Sequence, residues 1–236
     1  MATSYPNALL VDLDDTIIDY GGSAVASWRA ACGFAAQEVN GLDAAALYAA
    51  ISQVRDWYWS DADRHREGRA DLHAAAWRIV QQALLGLGYD RPDLARSIAT
   101  QYRERRDAAL KLFPGAVEVL ERVRAAGVRL GLLTNGTGAD QRRKIERFDL
   151  ARHFDYIQIE GVFGCGKPEP RVYVAALDRL GASADSSWMV GDNLEWDVGA
   201  PQRLGLNGIW LDRARAGLPA GSTVQPYRII HALSEL

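Results

Sequence analysis

Val128-Arg129-Leu130-Gly131-Leu132-Leu133-Thr134-Asn135-Gly136 is the stretch that decides the fold. It follows a glycine stop at Gly127, is apolar to Leu133 apart from Arg129, and breaks into a polar turn at Thr134. A short apolar run of this kind predicts a strand buried on both faces, from Val128 to Leu133. Before it, Val117, Leu120 and Val123 recur at helical spacing. After it, a helix is expected from about Asp140 to Phe148, then a strand at Tyr156 to Ile159. The pattern continues with a helix at about Arg171 to Leu180, a strand at Trp188-Met189-Val190, a helix ending near Gly205 and a strand at Gly208 to Leu211. Strands alternating with helices form right-handed βαβ units around a parallel sheet. Leu9-Leu10-Val11, another buried strand, belongs with them. The expected fold class is α/β, a Rossmann-like three-layer core.

Between the first strand and the rest, the sequence changes character. Leu47, Ile51, Val54 and Tyr58 follow helical spacing behind Asp43, which is placed as an N-cap. Leu72, Ala76, Ile79 and Ala83 do the same behind Asp71, with Gly88 placed as a stop. A third helix is expected from Pro92 to about Ala109, and the stretch to Leu112 carries no strand pattern. Residues 1–20 and 113–236 are therefore expected to form the α/β core, and 21–112 an inserted four-helix-like domain. The two connections, near Gly21-Gly22 and Phe113-Pro114-Gly115, would serve as hinges.

Composition narrows the possible partners. The 236 residues suit one to two domains. Lys plus Arg is 27 and Asp plus Glu is 30, a net charge of −3, which argues against a nucleic-acid polymer as partner. No uncharged apolar run reaches the ~18 residues of a membrane span, and the start lacks the pattern of a signal peptide. Cys32 and Cys165 offer neither a disulfide framework nor a zinc spacing. The expectation is a cytoplasmic protein with no membrane partner, a monomer or a homodimer.

Open parallel sheets bind ligands beyond the carboxyl ends of their strands. Here those ends carry Asp12-Leu13-Asp14-Asp15-Thr16, then Thr134-Asn135-Gly136, then a glycine-rich loop ending at Lys167, then Asp192 with Asp197 close behind. Crowded carboxylates repel one another, and a hard cation with oxygen ligands relieves the repulsion. One carboxylate can then attack phosphorus, and another can move a proton to and from oxygen. A hydroxyl, backbone amides and a lysine suit the equatorial oxygens of a transferring phosphoryl group. Each element alone has a plainer reading: a capping turn, a solvated lysine. Gly161 to Lys167 has most of a P-loop, but Pro168 follows where a metal-binding hydroxyl would stand, so the loop reads as the carrier of Lys167.

Taken in order, these four motifs resemble the haloacid dehalogenase superfamily, and they span nearly the whole chain. The helical block resembles that superfamily's C1-type cap. The resemblance implies a Mg²⁺-dependent phosphatase acting on a small phosphorylated metabolite. It makes Asp12 the nucleophile and a metal ligand, and Asp14 the general acid/base with its carbonyl on the metal. Leu13, Thr134, Asn135 and Lys167 would bind phosphate; Asp192 would bind the metal; Asp197 would support from behind. Asp15 stands where glycine is commonest in the family. Members that expel halide lack an acid at the position of Asp14, because halide needs no proton and an alkoxide does. A sugar phosphomutase of the same superfamily and a non-catalytic phospho-ligand module are the alternatives. The signalling receiver is set aside because its lysine comes at the last strand. In the helical block, Arg64-His65-Arg66 with Arg69 reads as a solvated loop, or as a grip on an anionic leaving group. Arg64, Arg69 and Trp57 are the candidates for specificity there.

Overall fold

The computed structural model describes residues 5–236. In chain order it runs β1 (Ala8–Val11), β2 (Ile18–Asp19), α1 (Ala24–Glu38), α2 (Ala44–Trp59), α3 (Ala62–Ala70), α4 (Leu72–Gly86), α5 (Pro92–Ala109), β3 (Lys111–Leu112), α6 (Ala116–Ala125), β4 (Arg129–Thr134) and α7 (Gly138–Arg147). It continues β5 (Tyr156–Ile159), α8 (Glu160–Phe163), α9 (Pro170–Leu180), β6 (Ser187–Gly191), a π-helical turn (Leu194–Gly199), α10 (Ala200–Gln202), β7 (Asn207–Leu211) and β8 (Arg228–Ile230). The described residues form two compact units: those up to Asp19 together with Lys111–Leu236, and Tyr20–Leu110.

The first unit holds a six-stranded sheet in the order β5-β4-β1-β6-β7-β8, every pair parallel. All four β1 residues are buried, as the unbroken apolar run requires of a central strand. From β1 the strand order runs to β4 on one side and to β6 on the other. Such a switch point opens a crevice at the carboxyl ends of these strands. Tyr173, Val172 and Ala176 of α9 pack with Leu10, Leu133 and Met189 in the core on one face.

The second unit is all helix. Asp43, Asp61 and Asp71 each accept a hydrogen bond from a first-turn amide, at 2.7, 2.9 and 2.9 Å. Its core gathers Leu47, Ile51, Ile79 and Ile98, with Trp28 and Tyr102 stacked at 3.6 Å between ring centroids.

The structure departs from the sequence expectation at four places. Ile18–Asp19 pairs antiparallel with Lys111–Leu112, a strand inside the stretch expected to hold none. Two-residue strands show no periodicity to read. The strand at 207–211 is followed by a further edge strand, β8. The helix expected to end near Gly205 is mostly a π-turn, its start held by Asn193 Oδ1, which accepts from the amides of Glu195 and Trp196. Arg64, His65, Arg66 and Arg69 lie on helix α3 and not in a loop. That helix is almost wholly polar, so it has no apolar stripe to betray it, and only the Asp61 cap signals its start.

Leu132, fully buried on β4, fills the sheet core. Leu132→Ala is expected to cost about 2–5 kcal/mol of unfolding free energy. Urea denaturation should show a lower midpoint at unchanged slope.

Candidate active site

Asp12 is the first residue beyond β1, and its amide donates to the Val190 carbonyl on β6 at 3.0 Å. Its carboxylate accepts from Lys167 Nζ at 2.7 Å, and the same ammonium donates to Asp197 Oδ1 at 2.6 Å. Lys167 is only 2% exposed, so its charge is held by these two carboxylates rather than by water. The second Asp197 oxygen accepts from the Asn193 amide at 3.0 Å. Gly191 makes this approach possible: a Cβ there would lie 2.2 Å from Asp197 Oδ2. Asn135 fastens the lysine's loop to the end of β4. Its Nδ2 donates to the Lys167 carbonyl and its Oδ1 accepts from the Lys167 amide, both at 2.8 Å. Gly161 allows that loop to seat, since a Cβ there would lie 2.7 Å from the Gly138 nitrogen.

Carboxylate oxygens of Asp12, Asp192 and Asp197 lie within 4.8 Å of one another. Burial pushes the Asp12 carboxyl up to about 7; Lys167 opposes this, while Asp197 and Asp14 add to it. Desolvation at the crowded strand ends pushes Asp192 up to about 8, with Asp12, Asp197 and Asp15 adding repulsion, although its side chain is open to solvent on one side. Burial also presses Lys167 toward its neutral form, but Asp12 and Asp197 together hold it above the ordinary lysine range. One ammonium thus answers two of three carboxylates. The donor set fits a hard divalent cation on Asp12 and Asp192. Both Asp197 oxygens are already engaged, which suits a supporting place.

Asp14 is drawn elsewhere. Both of its oxygens accept from Lys144 Nζ, at 2.8 and 2.7 Å, and Oδ2 also accepts from Gln141 Nε2 at 3.0 Å. Gln141 Nε2 further contacts the buried Thr134 hydroxyl, and the Asn135 carbonyl at 3.0 Å. Leu13 has a fully buried side chain, so only its backbone can meet a ligand. Asp15 sits at φ +60°, a left-handed conformation that aspartate tolerates better than most residues. Arg213 spans this turn, donating to the carbonyls of Asp15 and Thr16 at 3.2 and 2.6 Å, and its guanidinium lies over Phe113 at 3.4 Å.

The core candidates are thus brought together. Of the three candidates in the helical unit, Arg64 and Trp57 engage each other and Arg69 stands apart from that pair. Arg64 lies over the Trp57 ring at 4.0 Å and donates to the Trp57 and Tyr58 carbonyls at 2.7 and 3.3 Å. Trp57 is 49% exposed. Neither lines the helical unit's cavity of about 360 Å³; Arg69 does, alongside Arg55, Arg103 and Arg106. Sequence reasoning missed Gln141, Lys144 and Arg213. For Gln141 and Lys144 a signal existed. They share a helical face with Ile145 and Phe148, so polar side chains occupy inward positions.

Residues 6–205 match the haloacid dehalogenase-like hydrolases. The chain is 38% identical over 146 residues to a phosphoserine phosphatase of Thermus thermophilus, covering 59% of this chain and 57% of that protein. It is 27% identical over 202 residues to a glyceraldehyde 3-phosphate phosphatase of Pyrococcus abyssi, covering 86% and 79%. It is 28% identical over 239 residues to the N-acylneuraminate-9-phosphatase of Rattus norvegicus, covering 100% and 94%. Among solved structures, the magnesium-bound HAD-hydrolase YfnB of Bacillus subtilis superposes with a TM-score of 0.75 at 21% identity, over 98% of this chain and 97% of that one. A 2-haloacid dehalogenase of Pseudomonas syringae superposes at 0.61 with 26% identity, over 98% and 96%.

The raised carboxyls predict a pH effect. A folded-state pKa above the unfolded value of ~3.9 means that the folded protein binds more protons, so the contribution of these groups falls as pH rises. For Asp12 and Asp192 the window runs from about 4 to about 8. Metal-free protein should lose thermal stability between pH 5 and 8, and Asp192→Asn should flatten that loss. Mg²⁺ should raise the melting temperature more at pH 8 than at pH 5, because protons compete for the same oxygens. Equal shifts at the two pH values would contradict the crowding argument.

Proposed function

The chain belongs to the haloacid dehalogenase-like hydrolases, and we propose that within this family it is a Mg²⁺-dependent phosphohydrolase of small phosphate monoesters. One observation carries the reading. Lys167 Nζ bridges Asp12 and Asp197 beside Asp192, while Asp14, two residues from Asp12, is held by different partners. A nucleophile and a proton carrier so close in sequence need separate environments to do separate work. The named phosphatases among its relatives support the same reading.

In this mechanism Asp12 attacks phosphorus in line, forming an aspartyl-phosphate as the ester oxygen departs. Asp14 enters the step as the neutral acid, having taken a proton from solvent, and gives it to that oxygen; it regains a proton from the water that attacks the phosphoaspartate and releases phosphate. Lys167 draws Asp12 toward its ionised form against the effect of burial, and orients it between steps. The Thr134 hydroxyl and the backbone amides of Leu13 and Asn135 serve as donors to the phosphoryl oxygens. Asp12 and Asp192 would hold Mg²⁺, which supplies positive charge to the phosphoryl oxygens when bound. Asp14 is the reason to favour phosphate esters over halides. The helical unit would be the part that selects the organic group of the ester, with the Arg69 cavity a better candidate than Arg64 or Trp57.

The test is phosphate release from p-nitrophenyl phosphate and a panel of alkyl phosphates, with Mg²⁺ and with chelator. Release should require Mg²⁺, and Asp12→Asn should lower kcat by at least about 10³-fold, as loss of a nucleophile does. Turnover that appears only with a bisphosphate activator would point to phosphoryl return and a mutase. Full turnover in Asp12→Asn would overturn the proposal.

A further inference from the structure

We propose that Lys144, with Gln141, is a positioning residue for the acid/base carboxyl of Asp14. The inference rests on the phosphatase reading above and extends it to a residue outside the four motifs. Lys144 is 6% exposed, and its ammonium reaches both Asp14 oxygens, at 2.8 and 2.7 Å. The ammonium, nearly equidistant from both oxygens, fixes where the carboxyl ends, and Gln141 Nε2, bound to Oδ2 alone of the two at 3.0 Å, sets its rotation. The lysine's own place is fixed by α7. Thr137 accepts from the Asp140 amide at 3.0 Å and starts that helix directly after the Thr134-Asn135-Gly136 turn. Gln141 and Lys144 are three apart, so they project from one helical face.

Gln141 couples the same carboxyl to the phosphate-binding turn. Its Nε2 carries two hydrogens but faces three acceptors: Asp14 Oδ2, Thr134 Oγ1 and the Asn135 carbonyl. A phosphoryl group that engages the Thr134 hydroxyl changes how those two hydrogens are shared. The acid/base and the phosphate turn are therefore held by one side chain. Asp14 is kept from Asp12 in the same way: Lys167 holds one, and Lys144 the other.

A residue that works through Asp14 matters most where the leaving oxygen needs a proton. An alkoxide needs one; p-nitrophenolate leaves without it. The experiment compares kcat/KM for p-nitrophenyl phosphate with that for the alkyl phosphate the wild type turns over fastest. This parameter reports steps up to phosphoryl transfer to Asp12 and omits the later hydrolysis. Lys144→Met should lower the alkyl value about 10- to 100-fold, within the range that acid–base catalysis supplies, and the p-nitrophenyl value by less than about threefold. Lys144→Arg, which retains a two-point cation, should restore most of the loss. In the Asp14→Asn background, Lys144→Met should cost nothing further with the alkyl ester. Thermal melts establish that each variant is folded. Should Lys144→Met not fold, Gln141→Leu is measured in the same way and should show the same leaving-group bias at smaller size. Equal losses with both esters, or an undiminished loss in the Asp14→Asn background, would overturn the inference and leave the phosphatase reading intact. Wild-type protein that releases phosphate from neither ester would remove the reading itself.

Discussion

The ammonium of Lys167 is the constraint on which the rest of the site depends. Removing a lysine from water costs several kcal/mol, and only close, well-directed anions offset it. Asp12 and Asp197 do so at 2.7 and 2.6 Å. To meet at one nitrogen, three separate segments must end at the same place: the turn after β1, the loop after β5 and the π-turn after β6. A parallel sheet with β1 at its centre delivers all three to one edge. The supporting details serve the same meeting. Gly191 clears room for Asp197, and Asn135 fixes the lysine's loop from both sides of its peptide unit.

Compensation is nonetheless incomplete. Burial and mutual repulsion leave Asp12 and Asp192 with raised pKa values, so the site carries more negative charge than its lysine answers. Filling that deficit with a second lysine would give a satisfied ion cluster without chemistry. Leaving it open makes a place for a cation that can be shared with a phosphoryl group. The site is thus less stable by itself than with its ligands, which is common where pKa values must be tuned for reaction.

Much of this was legible in the sequence because it rests on periodicity and on strand ends. Leu9-Leu10-Val11 and Leu130-Gly131-Leu132-Leu133 are unbroken apolar segments, and a chemistry-bearing residue follows each. The caps at Asp43 and Asp71 were legible for the same local reason. What escaped was non-local. Nothing near Lys144 in sequence says that it meets Asp14, 130 positions away. Nothing near Arg213 says that it braces the Asp15–Thr16 turn from beyond β7. The pairing of Arg64 with Trp57, seven positions apart, was likewise not legible from the basic cluster alone.

The same core can expel a halide or an alkoxide, so the fold alone does not choose between them. The choice lies in whether a proton can be placed on the leaving atom. Here the position that would do so is an aspartate, and it is not left to the solvent. Two hydrogen bonds from a buried lysine and one from a buried glutamine converge on it. An ammonium buried against a carboxylate gives little net stability, so this pair is a poor device for holding the fold together. Its value lies in orientation. A carboxyl held in one plane meets the ester oxygen without first losing rotational freedom, and that pre-set geometry is a direct contribution to rate. On the proposed phosphatase reading, a preference for oxygen leaving groups would extend from Asp14 into α7 through Lys144 and Gln141.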